Sequence, residues 1–372
     1  MKIGFDAKRA FHNTTGLGNY SRDLIRIMGN YFPDNSYVLY NTKPKKVNRL
    51  TLTSNMKEVL PNTLLWRKLS SLWRQKPILK QLKNDNIEIY HGLSGEIPFG
   101  IHKKNIKTVV TIHDLIFVRY PKLYSFFDRK IHFFKFKHAA KKANKIIAIS
   151  EQTKNDIIDY LKIDKEKIAV VYQGCHAVFK EESTIEERKK LIQKYNLPKD
   201  FILNVGTIEE RKNALTIVKS IRKVDTDLVI VGRKTAYFNK IKEYIDENDL
   251  NDRVHFLGGV SLKELSILYQ TAKIFVYPSI FEGFGIPIIE ALYSKTPVIT
   301  TKGGVFPEAA GPASFYIEPF DDEGLGHKIR ELLENNELRE ETIRKGYTFV
   351  QKFNDKLIAE NLNAIYKSVL ND

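Results

Sequence analysis

Two glutamates and a glycine-rich turn make residues 277–292, YPSIFEGFGIPIIEAL, the most reactive-looking stretch of the chain. Carboxylates such as Glu282 and Glu290 accept hydrogen bonds from hydroxyl groups, whereas backbone N–H groups in a turn attract anions. Pro287 suits the first position of a helix, which puts Glu282 on a loop and Glu290 in the first helical turn. On a single helix the two carboxylates would stand ~12 Å apart, so one ligand can meet both only if the loop folds over the helix start. Gly283 and Gly285 permit that close approach, and the N–H groups of Phe284, Gly285 and Ile286 then form an anion-friendly nest. A ligand carrying both hydroxyls and phosphate fits this mixture.

Other short stretches extend the same chemistry. In VGTIEERKN (205–213), Arg211 and Lys212 precede a helix that Asn213 can cap, and cations beside a helix start suit a diphosphate. A cation ~4 Å from a charge developing on a leaving group is worth about 4 kcal/mol at an effective dielectric near 20. Gly16 and Gly18 in NTTGLGNY lack the third glycine of a dinucleotide fingerprint, which leaves a tight turn or a phosphate loop open. In VVTIHDL, His113 and Asp114 point to opposite sides of a strand end, so His113 faces the ligand side and Asp114 braces local backbone; taken alone, His113 reads first as a structural histidine. Ser94 and Glu96 in YHGLSGEIP leave another strand on that side and are candidates for contacts to a second substrate. No metal site is expected: DTD (225–227) reads as a polar turn ahead of a strand, and no histidine pair has metalloprotease spacing.

The elements needed to position these groups follow from hydrophobic patterning. Strands are expected at KIGFDA, SYVLYN, IEIYHG, KTVVTIHD, KIIAIS and IAVVYQG in the first half. FILNVGT, DLVIVG, VHFLG, KIFVYPS, TPVITT and SFYIEP follow in the second. Helices fall between them at 18–30, 126–143, 151–161, 213–223, 235–248, 261–271 and 287–294. Such alternation predicts two tandem, Rossmann-like, doubly wound parallel sheets, whose ligands bind beyond the carboxyl ends of the strands. The charged helix TIEERKKLIQKYNLP marks the junction, giving domains at 1–182 and 183–352, with an amphipathic helix at 353–372.

Composition narrows the function classes. The chain has 372 residues, long for one core, and a single cysteine, Cys175, which excludes a disulfide framework and fits a reducing cytoplasm. MKIGFD reads as a first strand rather than as a secretion signal, and no apolar run reaches membrane-span length. The net charge of +16 is lopsided: residues 1–180 carry 33 Lys and Arg against 14 Asp and Glu, and the remainder 27 against 30. The asymmetry suggests that the first half faces something anionic, a membrane surface or a nucleic acid; lysine-favouring codon usage is the alternative, but it does not explain the concentration of lysine in one half. No recognition-helix pattern supports nucleic acid. In LLWRKLSSLWRQKPILKQLK (64–83), Trp66, Leu69 and Trp73 recur at helical spacing among basic residues, as either a core stripe or an interfacial membrane helix.

The span from Glu282 to Glu290 matches the E-x(7)-E motif of retaining glycosyltransferases with the GT-B fold, and the chain resembles glycosyltransferase family 4. TGLGNY (15–20), TIHDL (111–115), GTIEERKN (206–213) and GGVFPEAAG (303–311) stand where that family carries its motifs. The resemblance implies two Rossmann-like domains facing across a cleft, with the last helix returning to the first domain. It implies a nucleotide-sugar donor held by Gly16, Gly18, Gly206, Arg211, Lys212, Phe284, Gly285, Ile286 and Glu290, without metal or other cofactor. Catalytic contacts would come from His113, near the donor's 6-hydroxyl, and from Glu282, Arg211 and Lys212. Retention would proceed by same-face attack, with the departing phosphate taking the acceptor's proton. Thr207 stands where some members carry a further arginine, so the clamp is lighter here. HDLIFVRYPKLY resembles bacterial mannosyl- and rhamnosyltransferases that build surface polysaccharides, which suggests GDP-mannose first and a UDP-hexose or deoxysugar nucleotide second. The expected acceptor is a saccharide, lipid-linked at the inner leaflet, where the enzyme would sit peripherally. A sugar-nucleotide epimerase of the same fold is the rival.

Overall fold

The computed structural model describes residues 1–44 and 49–371, so Asp372 of the expected C-terminal helix lies outside the described residues. Contacts divide the chain into two compact units, Met1–Gly174 with Phe353–Asp372, and Cys175–Lys352. Residues 175–182, read from sequence as part of the first domain, group with the second unit. The cause is local packing: Ser266 Oγ donates to the Val178 carbonyl at 2.8 Å, and Phe179 meets the Tyr269 ring edge-on.

Among the described residues the first unit holds seven parallel strands: β1 (Lys2–Asp6), β2 (Ser36–Tyr40), β3 (Met56–Val59), β4 (Ile89–Gly92), β5 (Lys107–Ile112), β6 (Lys145–Ala148) and β7 (Ile168–Val170), in the order β3-β2-β1-β4-β5-β6-β7. The second holds six: β8 (Phe201–Val205), β9 (Asp227–Val231), β10 (Val254–Leu257), β11 (Ile274–Tyr277), β12 (Val298–Thr301) and β13 (Phe315–Ile317), in the order β10-β9-β8-β11-β12-β13. Both are Rossmann orders. In each, the chain starts at the centre, winds to one edge and returns to wind the other way. That leaves a switch point between β1 and β4, and another between β8 and β11.

The central strands are apolar on both faces because helices cover both; Leu228, Val229 and Ile230, for example, are each fully buried. Strand β3, Met-Lys-Glu-Val, was not legible in the sequence. It is an edge strand, with too few apolar residues to show a pattern, and backbone pairing to β2 holds it in place. The charged helix Ile185–Tyr195 begins with a full capping box, Thr184 with Glu187. In the first unit the C-terminal helix Asp355–Asn371 packs on helix Gly16–Tyr31 and β5, with Tyr366 fully buried and Asp355 bonded to Arg26 at 2.9 Å. Among the described residues no helix is long and apolar enough to cross a membrane.

Candidate active site

In the second unit the switch point gathers charge. The loop leaving β8 ends in a short 3-10 turn, Glu210–Lys212, which carries Arg211 and Lys212. The loop leaving β11 carries Glu282. Its Oε1 receives Lys212 Nζ at 2.6 Å, Arg211 Nη1 at 2.8 Å and the Tyr277 hydroxyl at 3.1 Å. Lys212 also donates to the Tyr277 hydroxyl at 2.6 Å, and Arg211 bonds Glu209 at 2.7 Å. The side chains of Lys212 and Glu282 are only 15% and 13% exposed, so these charges are weakly screened. Burial alone would raise the Glu282 pKa, but Lys212 and Arg211 outweigh it and hold the carboxyl below its ordinary value. Burial likewise pulls Lys212 down, and Glu282 overcomes it, so the ammonium is raised. The cluster is ionised at neutral pH.

Backbone geometry supports this cluster. The Ile280 N–H donates to the Arg211 carbonyl at 2.9 Å, stitching the two loops together. Gly206 has φ +153°, and a Cβ there would lie 3.7 Å from the outer methylenes of Lys212. Asn213 does not cap the following helix, Ala214–Ile221: it is left-handed (φ 54°), and its amide donates instead to the Pro278 carbonyl at 3.2 Å. The helix after the glycine turn starts at Ile286, so Pro287 is its second residue and Glu290 its fifth. Gly285 precedes that helix at φ 107°, a conformation that favours glycine, and Phe284 is buried. Glu290 accepts from the Tyr269 hydroxyl at 3.0 Å. The structure therefore brings Arg211, Lys212 and Glu282 into one ion cluster and gives Glu290 a separate partner.

The first unit has its own charged switch point. Asp6 ends β1, and Glu96 follows β4. Arg74 joins them, with Nε 2.6 Å from Asp6 Oδ2 and Nη2 3.1 Å from Glu96 Oε2. Lys135 and Gln75 reach the same Glu96 oxygen at 3.5 and 3.3 Å. Burial would raise the Glu96 pKa, but Arg74 and Lys135 lower it. Glu96 is thus already engaged by protein cations, while Ser94 is half-buried beside it. Gly16 and Gly18 lie in the first turn of helix Gly16–Tyr31 rather than in a free loop. A Cβ on Gly18 would fall 2.0 Å from the Asn13 carbonyl oxygen, which is the local reason for that glycine.

His113 follows β5 and is 8% exposed. Its Nε2 lies 2.9 Å from the Leu93 carbonyl oxygen, which can only accept, so Nε2 carries the proton. Burial lowers the ring's pKa to about 4, so the imidazole is neutral and Nδ1 is a hydrogen-bond acceptor. Tyr20 meets the ring edge-on at 4.5 Å. Behind it runs a buried chain: the Tyr20 hydroxyl is 3.0 Å from Thr111 Oγ1, which is 2.8 Å from His91 Nε2, and His91 Nδ1 is 2.7 Å from the Tyr366 hydroxyl. Asp114 accepts from the Ile116 N–H at 3.1 Å and so braces backbone as expected.

Sequence reasoning missed Tyr277, Tyr269, Tyr20, His91 and Tyr366. Each looks like a core aromatic in its element, and only the fold gives its polar atom a partner. Arg74 was noticed only as one of several basic residues. Asp227 of DTD opens β9 near His255, and among the described residues no group of three or more His, Cys, Asp or Glu could hold a metal.

Two Rossmann-like units in tandem, with a cation–carboxylate cluster at the second unit's switch point, fit a glycosyltransferase of the GT-B fold. Comparison with known proteins agrees. Residues 45–177 match the family model described as Glycosyltransferase Family 4, and residues 186–349 that described as Glycosyl transferases group 1. The chain belongs to glycosyltransferase family 4 and is a transferase. It is 33% identical over 227 residues to the O-antigen chain mannosyltransferase RfbU of Salmonella typhimurium, which covers 60% of each chain. It is 24% identical to O-antigen chain mannosyltransferase B of Escherichia coli over 98% of this chain and 99% of that one. Among solved structures, sucrose-phosphate synthase from Thermosynechococcus elongatus superposes with a TM-score of 0.82 at 20% identity, covering 100% of this chain and 99% of the other. WaaG, a glycosyltransferase of lipopolysaccharide biosynthesis, superposes with a TM-score of 0.72 at 18% identity, covering 98% and 99%.

Proposed function

We propose that this chain transfers mannose from GDP-mannose to a saccharide acceptor during assembly of a bacterial surface polysaccharide. The observation that carries the reading is the Arg211–Lys212–Glu282 cluster at the β8/β11 switch point. Two oriented cations there meet the charge that grows on a departing nucleoside diphosphate. They are held in place before the donor arrives, so little reorganisation accompanies bond breaking. This supports a reaction that draws its charge stabilisation from side chains, without a metal ion. The choice of mannose rests on the RfbU and mannosyltransferase B relatives, both O-antigen chain mannosyltransferases by name.

In this reading Arg211 and Lys212 bind the diphosphate, with Gly206 at the start of the loop that carries them. Glu290 takes ribose hydroxyls. Glu282 and the 284–286 backbone contact the sugar. His113, neutral with a free-standing lone pair on Nδ1, accepts a hydrogen bond from a sugar hydroxyl. The acceptor oxygen attacks the anomeric carbon as the bond to the diphosphate breaks on the same face, its proton passes to the departing phosphate, and configuration is retained. The acceptor is lipid-linked at the inner leaflet, with Ser94 and the Glu96 network at the acceptor side.

Thermal unfolding with GDP-, UDP-, dTDP- and ADP-sugars, each with Mg²⁺ and with EDTA, tests the donor. A shift by GDP-mannose that survives EDTA and is lost in Lys212→Ala is the expected result. A shift by UDP- or dTDP-sugars alone would replace the donor, and a strict Mg²⁺ requirement would overturn the metal-free reading. The anomeric configuration of the product tests retention, and sugar-nucleotide isomerisation without acceptor would point to an epimerase.

A further inference from the structure

The helix Phe126–Lys142 is apolar on two sides. Its inner side is accounted for: Ala139 and Ala140 are fully buried, Phe133 and Phe136 pack on the first unit's core, and the Phe136 ring occupies the space a Gly95 side chain would need. Its outer side carries Phe127, Ile131 and Phe134 at i, i+4 and i+7, exposed by 76%, 54% and 63%, with Phe126 beside them at 61%. A stripe of this kind, open to water, needs a partner.

The segment 64–74 adds to the same face. It breaks into two short helices, Leu64–Lys68 and Ser70–Trp73. Trp73 is buried and Trp66 packs partly against the core, whereas Leu64, Leu65, Leu69 and Leu72 are exposed by 77%, 58%, 42% and 58%. The two segments are neighbours, because Arg74 and Lys135 reach one oxygen of Glu96. Phe99 links them again: its N–H donates to the Gln75 carbonyl, and its ring lies 6.1 Å from that of Phe134.

Charge selects the occupant. Residues 64–83 contain six Lys or Arg and no acid, and residues 126–142 contain six against Asp128 alone. A second copy of this face would set like charge against like. Next to these segments, a groove of about 640 Å³ is lined by Lys76, Leu79, Lys80, Phe99, Lys103 and Lys104, an apolar floor with an ammonium rim. Aromatic and aliphatic side chains among flexible lysines are what an anionic bilayer surface recruits: rings enter the acyl boundary while ammonium groups meet headgroup phosphates.

We infer that this face, Phe126–Phe134 with Leu64–Leu72, docks the enzyme on an anionic lipid bilayer. The inference rests on the reading of a lipid-linked acceptor, and it places Glu96 at the border of the lipid-facing surface. The test is co-sedimentation of the full chain with phosphatidylcholine vesicles, with and without 30% phosphatidylglycerol. Wild type should bind the anionic vesicles at least ~10-fold more tightly than the neutral ones and release them as salt rises. The triple variant F127S/I131S/F134S should bind at least ~10-fold less tightly, with its thermal midpoint and its response to GDP-mannose unchanged. Equal binding by wild type and variant would overturn the inference, as would no binding to either vesicle. A wild-type dimer in gel filtration that the variant abolishes would assign the face to a second copy and overturn it too. Vesicle binding is read without donor, so it can survive a failure of the donor reading, and the reverse.

Discussion

Two buried histidines should make the first unit sharply acid-sensitive. In the folded protein burial lowers His91 from 6.5 to about 3 and His113 from 6.5 to about 4. In the unfolded chain both titrate near 6.5. Below that value the unfolded chain binds two protons that the folded chain refuses, so stability is present above pH 6.5 and is lost as pH falls towards 4. Each group contributes about 1.4 kcal/mol per pH unit, or about 2–3 kcal/mol per unit for the pair between pH 5.5 and 4.5. His138, held below its usual value by burial and then by His102 and Lys142, acts in the same direction. The carboxyls of Glu96 and Glu282 start from 4.5 and lie lower in the fold, so their stabilisation is fully present above pH 4.5 and adds little to the slope in this window. Trp66 and Trp73 are the chain's two tryptophans and both belong to the first unit, so their fluorescence in urea reports on this unit. With a denaturant slope of about 2–3 kcal/mol/M, the urea midpoint should fall about 1 M per pH unit across that window. His91→Gln removes one titrating ring and should take away about 1.4 kcal/mol per pH unit of the slope. A midpoint flat from pH 6 to 4.5, or an undiminished slope in His91→Gln, would refute the neutral-histidine argument and with it the acceptor role of His113 Nδ1.

Three further outcomes are expected. Lys212→Ala should lower kcat/KM about 10²–10³-fold, because a positioned cation is removed where leaving-group charge develops; steady-state kinetics with a fixed acceptor check it. Tyr366→Phe leaves His91 Nδ1 without its 2.7 Å partner in a fully buried site, and should cost about 1–3 kcal/mol in the tryptophan-monitored urea midpoint. Gly285→Ala forces a side chain into φ 107° with Ile288 only 3.2 Å away, and should cost about 1–3 kcal/mol in thermal stability and weaken nucleotide-sugar binding.

The legible part of this protein is its periodic part. Among the described residues, twelve of the thirteen strands show as β-branched or apolar runs between helical stretches, because buried parallel strands must be apolar on both faces. Strand β3 escaped, being held by an edge ladder that Met-Lys-Glu-Val does not advertise. The motif residues were also visible, since glycine, proline and paired acids rarely fall together in an apolar run without a reason.

Partnership was not visible. Glu282 and Glu290 look equivalent as letters eight residues apart, yet the fold gives one to Lys212 and Arg211 and the other to Tyr269. Trp66 and Leu69 share a spacing with Trp73, but only Trp73 is fully buried, and the leucines face outward. The reason is physical: burial of a helix face follows from local period, whereas the partner of a charge depends on which loops two crossovers bring together. By itself the sequence determined two tandem doubly wound sheets, a lopsided charge and the residues at the strand exits. Tertiary structure decided that Lys212, Arg211, Tyr277 and Glu282 share one site, that His113 is neutral, and that Phe127, Ile131 and Phe134 face out.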